Sequence, residues 1–359
     1  MERLNKMANN IKIGIVVNDV AKLDLGLNMV IKSTIEALKR DHKVFLMGIG
    51  DLYFDGDEKV YSKAVSVPKK DYKVLDLFIE DILNLEKEKR ETLCVSELDV
   101  LLLRFDPSLE PQDRSWARSI GVDFGNLATK DGVIVLNTPE GLNKSRNKLY
   151  LQHFPEMIRP QSIITRDKDE IKKFFLENKK IIIKPLSGSE GRNVFFVHDK
   201  ELSNLEQIIE AVAKEGYIIV QEYLPEVEKG DIRLFLMNGK PLKRGKSFAA
   251  FKRVSKGKDV RNNISAGGKP KKAKITKKML DICEMIKPRL IQDGMFLVGL
   301  DIVGDKIIEI NVFCPDGFQN IENVTGIDFS KEIIDALERK VEYRDYYNSR
   351  FDNNELATF

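Results

Sequence analysis

Residues 296–312 read FLVGLDIVGDKIIEINV, two strand-forming apolar runs joined by turn-forming residues. This pattern predicts a β-hairpin. Its apolar runs are unusual because they carry polar side chains, Asp301 in the first run and Glu309 and Asn311 in the second. Successive strand residues point to opposite faces of a sheet. The positions of these polar side chains therefore indicate which residues of the two strands lie opposite each other.

The turn admits two loop lengths. A two-residue turn at Gly304-Asp305 would pair Asp301 with Ile308 and mix charged with aliphatic side chains on each face. A three-residue loop over residues 304–306 pairs Asp301 with Glu309 instead, and it separates an apolar face from a polar one. The other pairs of this register are Val303 with Ile307, Ile302 with Ile308 and Leu300 with Ile310. The hydrophobic pattern therefore favours the longer loop and gathers the three polar side chains on one face.

Two carboxylates directly opposite each other on neighbouring strands repel, so a positive charge must compensate them. A salt bridge to Lys or Arg is one alternative. The other is a divalent metal ion, because two acids and an amide form an all-oxygen set that suits Mg²⁺ or Mn²⁺ held against phosphate groups. Zinc is disfavoured, since His42, His153 and His198 lie far apart in sequence. We favour magnesium, bound by the two acids and the asparagine.

Around the hairpin, short turns such as Asn238-Gly239 join further strands, which predicts largely antiparallel sheets. The first third of the chain alternates strand and helix patterns, and Val100-Leu-Leu-Leu103 is typical of a parallel strand buried on both faces. We therefore predict an α/β and α+β protein, with an open parallel N-terminal α/β domain followed by mainly antiparallel sheets. Residues 50–71 show no clear period and are predicted as loop or irregular strand.

A turn cluster at residues 137–141 indicates a domain boundary. Helices are expected over 111–127 and 147–154. The predicted limits are an N-terminal substrate-binding domain over 1–138, two further subdomains over 139–224 and 225–341, and a polar tail over 342–359 that is expected to fray.

Composition limits the classes of protein. The 359-residue chain is 42% hydrophobic, which is enough apolar material for packed domains. Its apolar runs fall short of the ~18 residues of a membrane span, and its start lacks a signal-peptide pattern. Cys94, Cys283 and Cys314 form neither a disulfide framework nor a metal motif. We expect a cytoplasmic protein with reduced thiols and no membrane partner.

Basic residues are concentrated in one segment. Residues 240–278 hold fifteen Lys or Arg residues and a single acid, Asp259. A solvated lysine-rich surface, a nucleic-acid surface and a pocket for small polyanions all fit this pattern. The absence of aromatic residues among the later lysines disfavours nucleic acid.

A second segment has features of a phosphate site. Lys184 ends an apolar strand pattern, and a loop with Gly188 and Gly191 follows. Glycines allow backbone N–H groups to approach phosphate oxygens, and the lysine adds a charge, although a simple glycine-rich hairpin fits equally well. Residues 218–222 end a strand where a nucleotide base would find backbone donors and acceptors, or they are an ordinary strand end.

Taken together, these motifs resemble those of the ATP-grasp superfamily, and within it the bacterial-type glutathione synthetases. The motifs are Lys148, Lys184-Pro-Leu-x-Gly, Gln221-x-Tyr-Leu-Pro, Gly230-Asp-x-Arg233, Arg261-x-Asn263-x-x-Ala-Gly-Gly268 and Val298-Gly-Leu-Asp301 with Glu309-Ile-Asn311. Gly50-Asp-Leu-Tyr53 and Arg104-x-Asp-Pro107 extend the resemblance into the first domain. Single motifs are weak, but their order and spacing are specific.

The resemblance implies an ATP-grasp fold and ATP-dependent ligation of a peptide carboxylate to an amine through an acylphosphate, with Mg²⁺ or Mn²⁺. The implied ATP-binding residues are Lys148, Lys184, Gly188, Gly191, Gln221, Glu222, Tyr223, Leu224 and Asp231. The residues implied to bind the peptide carboxylates and the tetrahedral intermediate are Arg233, Arg253, Arg261 and Asn263. Further substrate-binding residues are Arg104, Gly267 and Gly268, and the metal ligands are Asp301, Glu309 and Asn311.

The chain departs from the family at three places near the substrate. Phe313 to Phe318 replaces a hydroxyl-rich turn and introduces Asp316, Phe105 replaces a basic residue, and residues 22–28 differ from the usual segment. These departures concern the substrate and not the reaction class. Cys314 is interpreted as a loop thiol, because no base is near it in sequence.

Three functions follow from this pattern. The first is synthesis of glutathione from γ-glutamylcysteine and glycine, with ATP, a small peptide and an amine as partners. The second is the same chemistry with another peptide or amino acid. The third is a non-catalytic nucleotide or nucleic-acid binder using residues 240–278, which the complete set of catalytic-type residues disfavours. We expect a homo-oligomer, although the sequence specifies no subunit number.

Overall fold

The computed structural model describes residues 10–188, 191–198, 204–255, 262–264 and 267–359. Within these ranges, no helix is long and apolar enough to cross a lipid bilayer.

The N-terminal part of the chain forms a mixed sheet whose inner strands are parallel. Its strands are β1 (Lys12–Val17), β2 (Lys43–Gly48), β3 (Leu52–Phe54), β4 (Val60–Ser66), β5 (Glu91–Cys94), β6 (Val100–Leu103) and β7 (Ile134–Leu136). They lie in the order β3-β4-β2-β1-β6-β7, and β5 pairs with β4. All of β6 is buried, as a parallel strand covered on both faces requires. The predicted α/β fold is confirmed, and residues 50–71 supply the antiparallel strands β3 and β4.

Helices cover both faces of this sheet and share its apolar cores. They are α1 (Asn28–Lys39), α2 (Leu75–Glu88) and α3 (Ala117–Lys130). The helix expected from residue 111 begins later, because a short 3-10 turn over Gln112–Arg114 precedes it.

The strand order places a topological switch point beside β1. The chain passes from β1 through α1 to β2 on one side, and β6 lies on the other side. Ligands of open α/β sheets bind outside the carboxyl ends of such strands. Asn18 follows β1 and residues 104–106 follow β6, so these residues occupy the expected ligand position.

An antiparallel sheet follows helix α4 (Pro139–Lys144). Its strands, in the order β10-β9-β11-β8, are β8 (Ser162–Thr165), β9 (Lys180–Pro185), β10 (Phe195–His198) and β11 (Ile218–Glu222). Helices α5 (Lys168–Asn178) and α6 (Leu205–Ala213) pack on it and share a core that includes Ile183 and Val220. The helix expected over 147–154 is a 3-10 helix, Lys148–His153.

The C-terminal part is built on a further antiparallel sheet in the order β17-β16-β12-β18-β19. Its strands and short ribbons are β12 (Asp231–Met237), β13 (Lys240–Pro241), β14 (Lys243–Arg244), β15 (Ser247–Phe248), β16 (Ala250–Val254), β17 (Lys269–Lys272), β18 (Leu297–Val303) and β19 (Lys306–Asn311). The helices are α7 (Lys277–Gln292), α8 (Phe318–Thr325), α9 (Ser330–Tyr346) and α10 (Asn353–Thr358). The antiparallel prediction is confirmed, whereas the domain limits at 138, 224 and 341 stay predictions.

Part of the basic segment forms an edge of this sheet. Strand β17, Lys-Pro-Lys-Lys, is the edge strand beside β16, and its lysines are exposed. Lysine and proline on an edge strand prevent pairing with other chains, which accounts for part of the lysine density.

Strands β18 and β19 form the predicted hairpin, and Asp301 lies opposite Glu309 as predicted. The turn itself is different. Val303 pairs with Lys306, so the turn is the two-residue Gly304-Asp305, and the predicted three-residue loop is wrong. A bulge beside Asp301 then restores the predicted register for the rest of the hairpin.

The bulge changes the surroundings of one isoleucine. Ile302 pairs with Ile307, so the predicted pairs of Ile302 with Ile308 and of Val303 with Ile307 are wrong. Ile307 is fully buried, whereas Ile308 is the extra residue and is only half-buried. Two adjacent isoleucines satisfy the apolar pattern in either register, so hydrophobicity could not reveal the bulge.

The segment 342–359 is ordered by specific contacts, so the expectation that it frays is wrong. Helix α9 runs into it and α10 follows. The buried Lys340 donates from Nζ to the carbonyl oxygen of Leu356, at 2.9 Å, in the last turn of α10. Asn353 exchanges hydrogen bonds of 2.8 and 3.0 Å with the backbone of Val135 on the edge strand β7. A few specific side-chain contacts are therefore enough to order this segment despite its polar composition.

Candidate active site

Three adjoining cavities are lined by described residues near the β18–β19 hairpin. We name them the Asn147 cavity and the Tyr223 cavity, of about 120 Å³ each, and the Asp316 cavity, of about 540 Å³. Glu309 lines all three, so the hairpin acid stands at their junction.

Most of the predicted site residues meet in this cleft. Those that line at least one cavity are Lys148, Lys184, Gly188, Gly191, Gln221, Glu222, Tyr223, Leu224, Asp231, Arg233, Arg253, Asn263, Glu309 and Asn311. Those that line none of the three are Arg104, Gly267, Gly268 and Asp301. Arg261 lies outside the described residues.

Lys184 provides a buried ammonium group at the end of β9. Its Nζ lies 3.3 Å from Gln221 Oε1 and 3.4 Å from the carbonyl oxygen of Ile308. Burial, partly offset by the charge of Glu309, lowers the pKa of Lys184 to about 8. The nearby carboxylates thus do not fully offset the cost of burying the Lys184 ammonium group, which favours binding of an anion beside it.

Lys148 adds a second ammonium group to the same wall. Its Nζ donates to the carbonyl oxygen of Gly188 and lies 3.7 Å from Glu309 Oε1. Gly188 and Gly191 have positive φ angles of 106° and 72°, which glycine adopts without strain. Gly188, in the segment after β9, therefore lies against Lys148 and lines the same cavities as both lysines.

The Tyr223 cavity has the features of a slot for a flat ring. Tyr223 lies against Phe196, with ring centroids 4.5 Å apart, and Ile182 and the bulge residue Ile308 add apolar walls. The backbone N–H of Leu224 donates to no atom of the described residues. An aromatic base with a hydrogen-bond acceptor on its edge matches this combination.

The polar group on the hairpin converges as predicted, but its members differ in exposure. Glu309 and Asn311 line cavities, while Asp301 is 1% exposed and lies behind them. Asn311 directs its amide nitrogen to Asp301 Oδ2 at 3.4 Å and to the carbonyl oxygen of Gly299 at 3.5 Å. Its amide oxygen accepts no hydrogen bond from the described residues, so a carboxylate and an amide oxygen remain available on the cavity wall.

Arginines supply the positive charge that the facing acids require. Arg233 binds Asp301 with two hydrogen bonds of 2.8 Å, and Arg253 bridges Asp301, at 2.8 Å, and Asp231. Burial alone would raise the pKa of Asp301, but these two guanidinium groups outweigh it and hold the pKa well below its ordinary value. The salt-bridge alternative is thus realised at Asp301, while Glu309 has a single long ion pair among the described residues, with Lys148 at 3.7 Å.

The oxygen donors fit a divalent cation of the magnesium type. The carboxylate of Glu309 and the amide oxygen of Asn311 are hard oxygen ligands on the cavity wall, whereas the Asp301 carboxylate lies behind them, bound to Arg233 and Arg253. Within the described residues, no group of three or more His, Cys, Asp or Glu side chains is placed to hold a metal ion, so a histidine- or thiolate-based centre is not seen there.

Described residues between β16 and β17 also reach the cleft. Asn263 lines the Tyr223 and Asp316 cavities, and neighbouring Asn262 holds the loop by donating to the carbonyl oxygen of Val227 at 3.1 Å. A Cβ atom at Gly268 would lie 2.2 Å from the carbonyl oxygen of Asn262, so only glycine fits there. Gly267, at φ 90°, turns the chain and contacts no cavity. These two glycines shape the loop that carries Asn263.

The Asp316 cavity lies where the N-terminal switch point meets the C-terminal sheet. Asn18 donates to the carbonyl oxygen of Asp106 at 2.9 Å and accepts its N–H at 2.8 Å, and both residues line the cavity. Neither residue was predicted from the sequence to act in the site. The signal was available, because each follows a buried parallel strand at its carboxyl end.

Two helix N-termini meet at this cavity and cap each other. Asp316 Oδ2 accepts the N–H of Met29 in α1 at 3.2 Å, and Asn28 Oδ1 accepts the N–H of Gln319 in α8 at 2.9 Å. Neither helix is capped by the side chain of its own N-cap residue. Burial raises the pKa of Asp316 to about 6, so its carboxylate is charged at neutral pH.

Two of the family departures contact each other beneath the cleft. Phe105 is fully buried, and its ring centroid lies 5.7 Å from that of Phe313. Arg104 is buried beside them and donates to the carbonyl oxygen of Pro315 at 2.9 Å, so it supports the 313–318 turn. Burial raises the pKa of Cys314 to about 12, which keeps it a thiol and supports its interpretation as a loop residue.

Comparison with protein-family models matches two consecutive parts of the chain. Residues 11–143 match the N-terminal domain of prokaryotic glutathione synthetase, and residues 147–326 match its ATP-grasp domain.

Curated relatives match over nearly their whole length. The glutathione synthetase of Escherichia coli strain K12 is 29% identical over 335 residues, covering 92% of this chain and 99% of that protein. The glutathione synthetase of Vibrio parahaemolyticus is 30% identical over 333 residues, with 92% and 99% covered.

Solved structures share the fold at low identity. A RiPP-associated ATP-grasp ligase from Chryseobacterium gregarium, in complex with ADP and a leader and core peptide, has a TM-score of 0.59 at 15% identity and covers 92% of this chain and 97% of its own. D-alanyl-alanine synthetase A from Vibrio cholerae has a TM-score of 0.58 at 12% identity, with 93% and 99% covered. These likenesses agree with the predicted ATP-grasp fold.

Proposed function

Because the chain belongs to the prokaryotic glutathione synthetase family of ATP-dependent, peptide-forming ligases, we propose that it joins γ-glutamylcysteine to glycine. The proposal is carried by one observation: three cavities meet at Glu309. They are a slot of the size of a nucleotide base, a lysine-lined pocket and a larger polar cavity. A ligase that passes phosphate from ATP to a peptide needs these three spaces in contact.

In this proposal the base of ATP lies in the Tyr223 cavity, with Gln221, Glu222 and Leu224 along its edge. Lys148 and Lys184 neutralise the phosphates, and the loop with Gly188 and Gly191 covers them and excludes water. Asp231 was expected to bind the ribose. Both its carboxylate oxygens already accept hydrogen bonds from Arg253, at 2.7 and 2.6 Å, so we assign it first to holding that arginine.

Glu309 and Asn311, with Asp301 behind them, would hold Mg²⁺ or Mn²⁺. When bound, such an ion neutralises the phosphate oxygens and keeps the transferred phosphoryl group in line. Arg233, Arg253 and Asn263 line the Asp316 cavity, where they would orient the donor carboxylate and stabilise charge on the tetrahedral intermediate. Arg261 keeps its proposed role on the resemblance alone, and Arg104, Gly267 and Gly268 are proposed to shape the site.

The chemistry follows in two steps. The cysteinyl carboxylate of the donor attacks the γ-phosphorus of ATP, and ADP leaves with the bonding electron pair. The neutral amine of glycine then attacks the acyl carbon, and phosphate departs as the amide forms and the amine loses a proton. Water must be kept from the acylphosphate between these steps, which is the task of the two loops.

The test is phosphate release measured over a panel of γ-glutamyl peptides and amines. We expect release from ATP to require both γ-glutamylcysteine and an amine, with glycine the best acceptor. Release that depends on neither substrate contradicts the proposal. A clear preference for another donor or acceptor would keep the ligase chemistry and replace the proposed substrates.

Lys184 gives a pH-dependent prediction. Its ordinary pKa is lowered to about 8, so the free enzyme loses this positive charge as pH rises above 8. We therefore expect kcat/KM for ATP to fall roughly tenfold per pH unit on the alkaline side. In Lys184→Arg, whose side chain stays charged, this decline should disappear even if the overall rate is lower.

The matched control is Lys173→Arg, an exposed lysine on α5, which should retain the alkaline decline of the wild-type protein. An identical alkaline profile in wild type and Lys184→Arg would rule out Lys184 as its source.

A further inference from the structure

The charges around the Asp316 cavity are unevenly compensated. Its two arginines, Arg233 and Arg253, are already bound to Asp301 and Asp231, two buried acids behind the cavity wall. The arginines therefore bring little net positive charge into the cavity. The electrostatic potential in the cavity is therefore set mainly by those acids of its wall that have no ion pair with a cationic side chain.

Two acids of this wall, Asp106 and Asp316, have no ion pair with a cationic side chain among the described residues, and Asp316 lies beside the amides of Asn28 and Gln319. It is half-buried, and its two carboxylate oxygens accept the backbone N–H groups of Met29, at 3.2 Å, and Gly317. Among the described residues, no cationic side chain is ion-paired with it. Its polar neighbours on the cavity wall include the neutral amides Asn28, Gln319 and Asn320, and Arg233, which is paired with Asp301 and donates to the carbonyl oxygen of Asp316 at 3.4 Å. A carboxylate held in place by two backbone donors, with amides around it, matches a cationic group of a ligand.

We propose that Asp316 binds an ammonium group of the substrate and so determines which donor is accepted. The assignment rests on the proposed function and deepens it. The only requirement on the ligand is a primary ammonium group that reaches the Asp316 cavity while its carboxylate faces the junction at Glu309.

The ammonium group bound by Asp316 belongs to the donor and not to the acceptor. The acceptor amine must be unprotonated to attack the acylphosphate. A neighbouring carboxylate stabilises the ammonium form and would oppose that attack. The donor γ-glutamylcysteine carries a second, non-reacting amine, the α-ammonium of its glutamyl residue, so this group fits the assignment.

A purely structural role for Asp316 is the alternative, because it caps α1. Asp316→Asn separates the two, since the amide oxygen still accepts the N–H of Met29 while the negative charge and the hydrogen bond from Gly317 are lost. The matched control is Asp113→Asn, the same change at an exposed acid that lines none of the three cavities.

The experiment measures kcat/KM for γ-glutamylcysteine and for N-glutarylcysteine, which has hydrogen in place of the glutamyl α-amino group. We expect the wild type and Asp113→Asn to prefer the amine-bearing donor by about 30-fold, the worth of a hydrogen bond to a charged group. Asp316→Asn should lose most of that preference by a lower kcat/KM for γ-glutamylcysteine, with less than about a threefold change for the analogue and only a small fall in melting temperature from the lost Gly317 bond.

Two outcomes overturn the assignment alone. One is equal use of both donors by the wild type, and the other is an Asp316→Asn variant that loses the same factor on both donors, as a positioning cap would. Absence of phosphate release with either donor in the wild type is distinct, because it overturns the proposed donor and this assignment with it.

Discussion

Glu309→Gln is expected to lower kcat for phosphate release by about 10²- to 10³-fold while leaving the fold intact. Glu309 lines all three cavities, and its carboxylate is the negative group that the hairpin presents to them. Glutamine keeps the shape of the side chain but removes the charge that a divalent cation requires. The nearest cation, Lys148 Nζ, is 3.7 Å away and the carboxylate is 27% exposed, so the lost ion pair contributes little to stability.

The measurement is steady-state phosphate release at saturating substrates, together with a thermal melt. Glu226→Gln serves as the control, since Glu226 is exposed beside the turn of the same hairpin and lines none of the three cavities. A Glu309→Gln variant with more than about a tenth of wild-type kcat would contradict the proposed role.

Asp301→Asn is expected to lower the free energy of unfolding by about 3–5 kcal/mol, in addition to impairing turnover. Asp301 is 1% exposed and compensates two guanidinium groups, so the asparagine leaves buried positive charge unpaired. The facing acids alone would suggest that removing one of them relieves repulsion. The arginine contacts reverse that expectation for Asp301, because its repulsion from Glu309 is smaller than its attraction to Arg233 and Arg253.

Urea denaturation of Asp301→Asn and of the control Asp305→Asn measures this effect. Asp305 is exposed in the turn of the same hairpin. Because the arginines hold the pKa of Asp301 below its unfolded value of about 4, its contribution is complete above pH ~4 and is lost as pH falls further. The difference between wild type and variant should therefore shrink in acid. A loss below about 1 kcal/mol at neutral pH would show that the pairs with arginine do not stabilise the fold.

Local patterns predicted the parts of the fold that depend on burial. The run at residues 100–103 is typical of a buried parallel strand, and the aliphatic residues of 296–312 favoured Asp301 opposite Glu309, as observed. Cleft residues such as Lys184 and Tyr223 were predicted because each belongs to a short motif at the end of a strand pattern. Order and spacing of these motifs then indicated the family.

The remaining features depend on contacts between distant segments. The bulge that turns Ile308 into the cleft is invisible to a hydrophobic pattern, because its neighbour is also isoleucine. The pairing of Arg233 and Arg253 with Asp301 requires three strands to be adjacent. The mutual capping by Asn28 and Asp316 joins residues almost 290 positions apart.

We propose that the hairpin holds a divalent cation beside the nucleotide phosphates, and the affinity of the protein for Mn²⁺ measures this property itself. Electron paramagnetic resonance of Mn²⁺ titrated into the protein with saturating ADP reports the affinity of the ternary site. We predict that Glu309→Gln weakens Mn²⁺ binding by at least about tenfold relative to wild type and Glu226→Gln. Equal Mn²⁺ affinity in all three proteins would contradict the account.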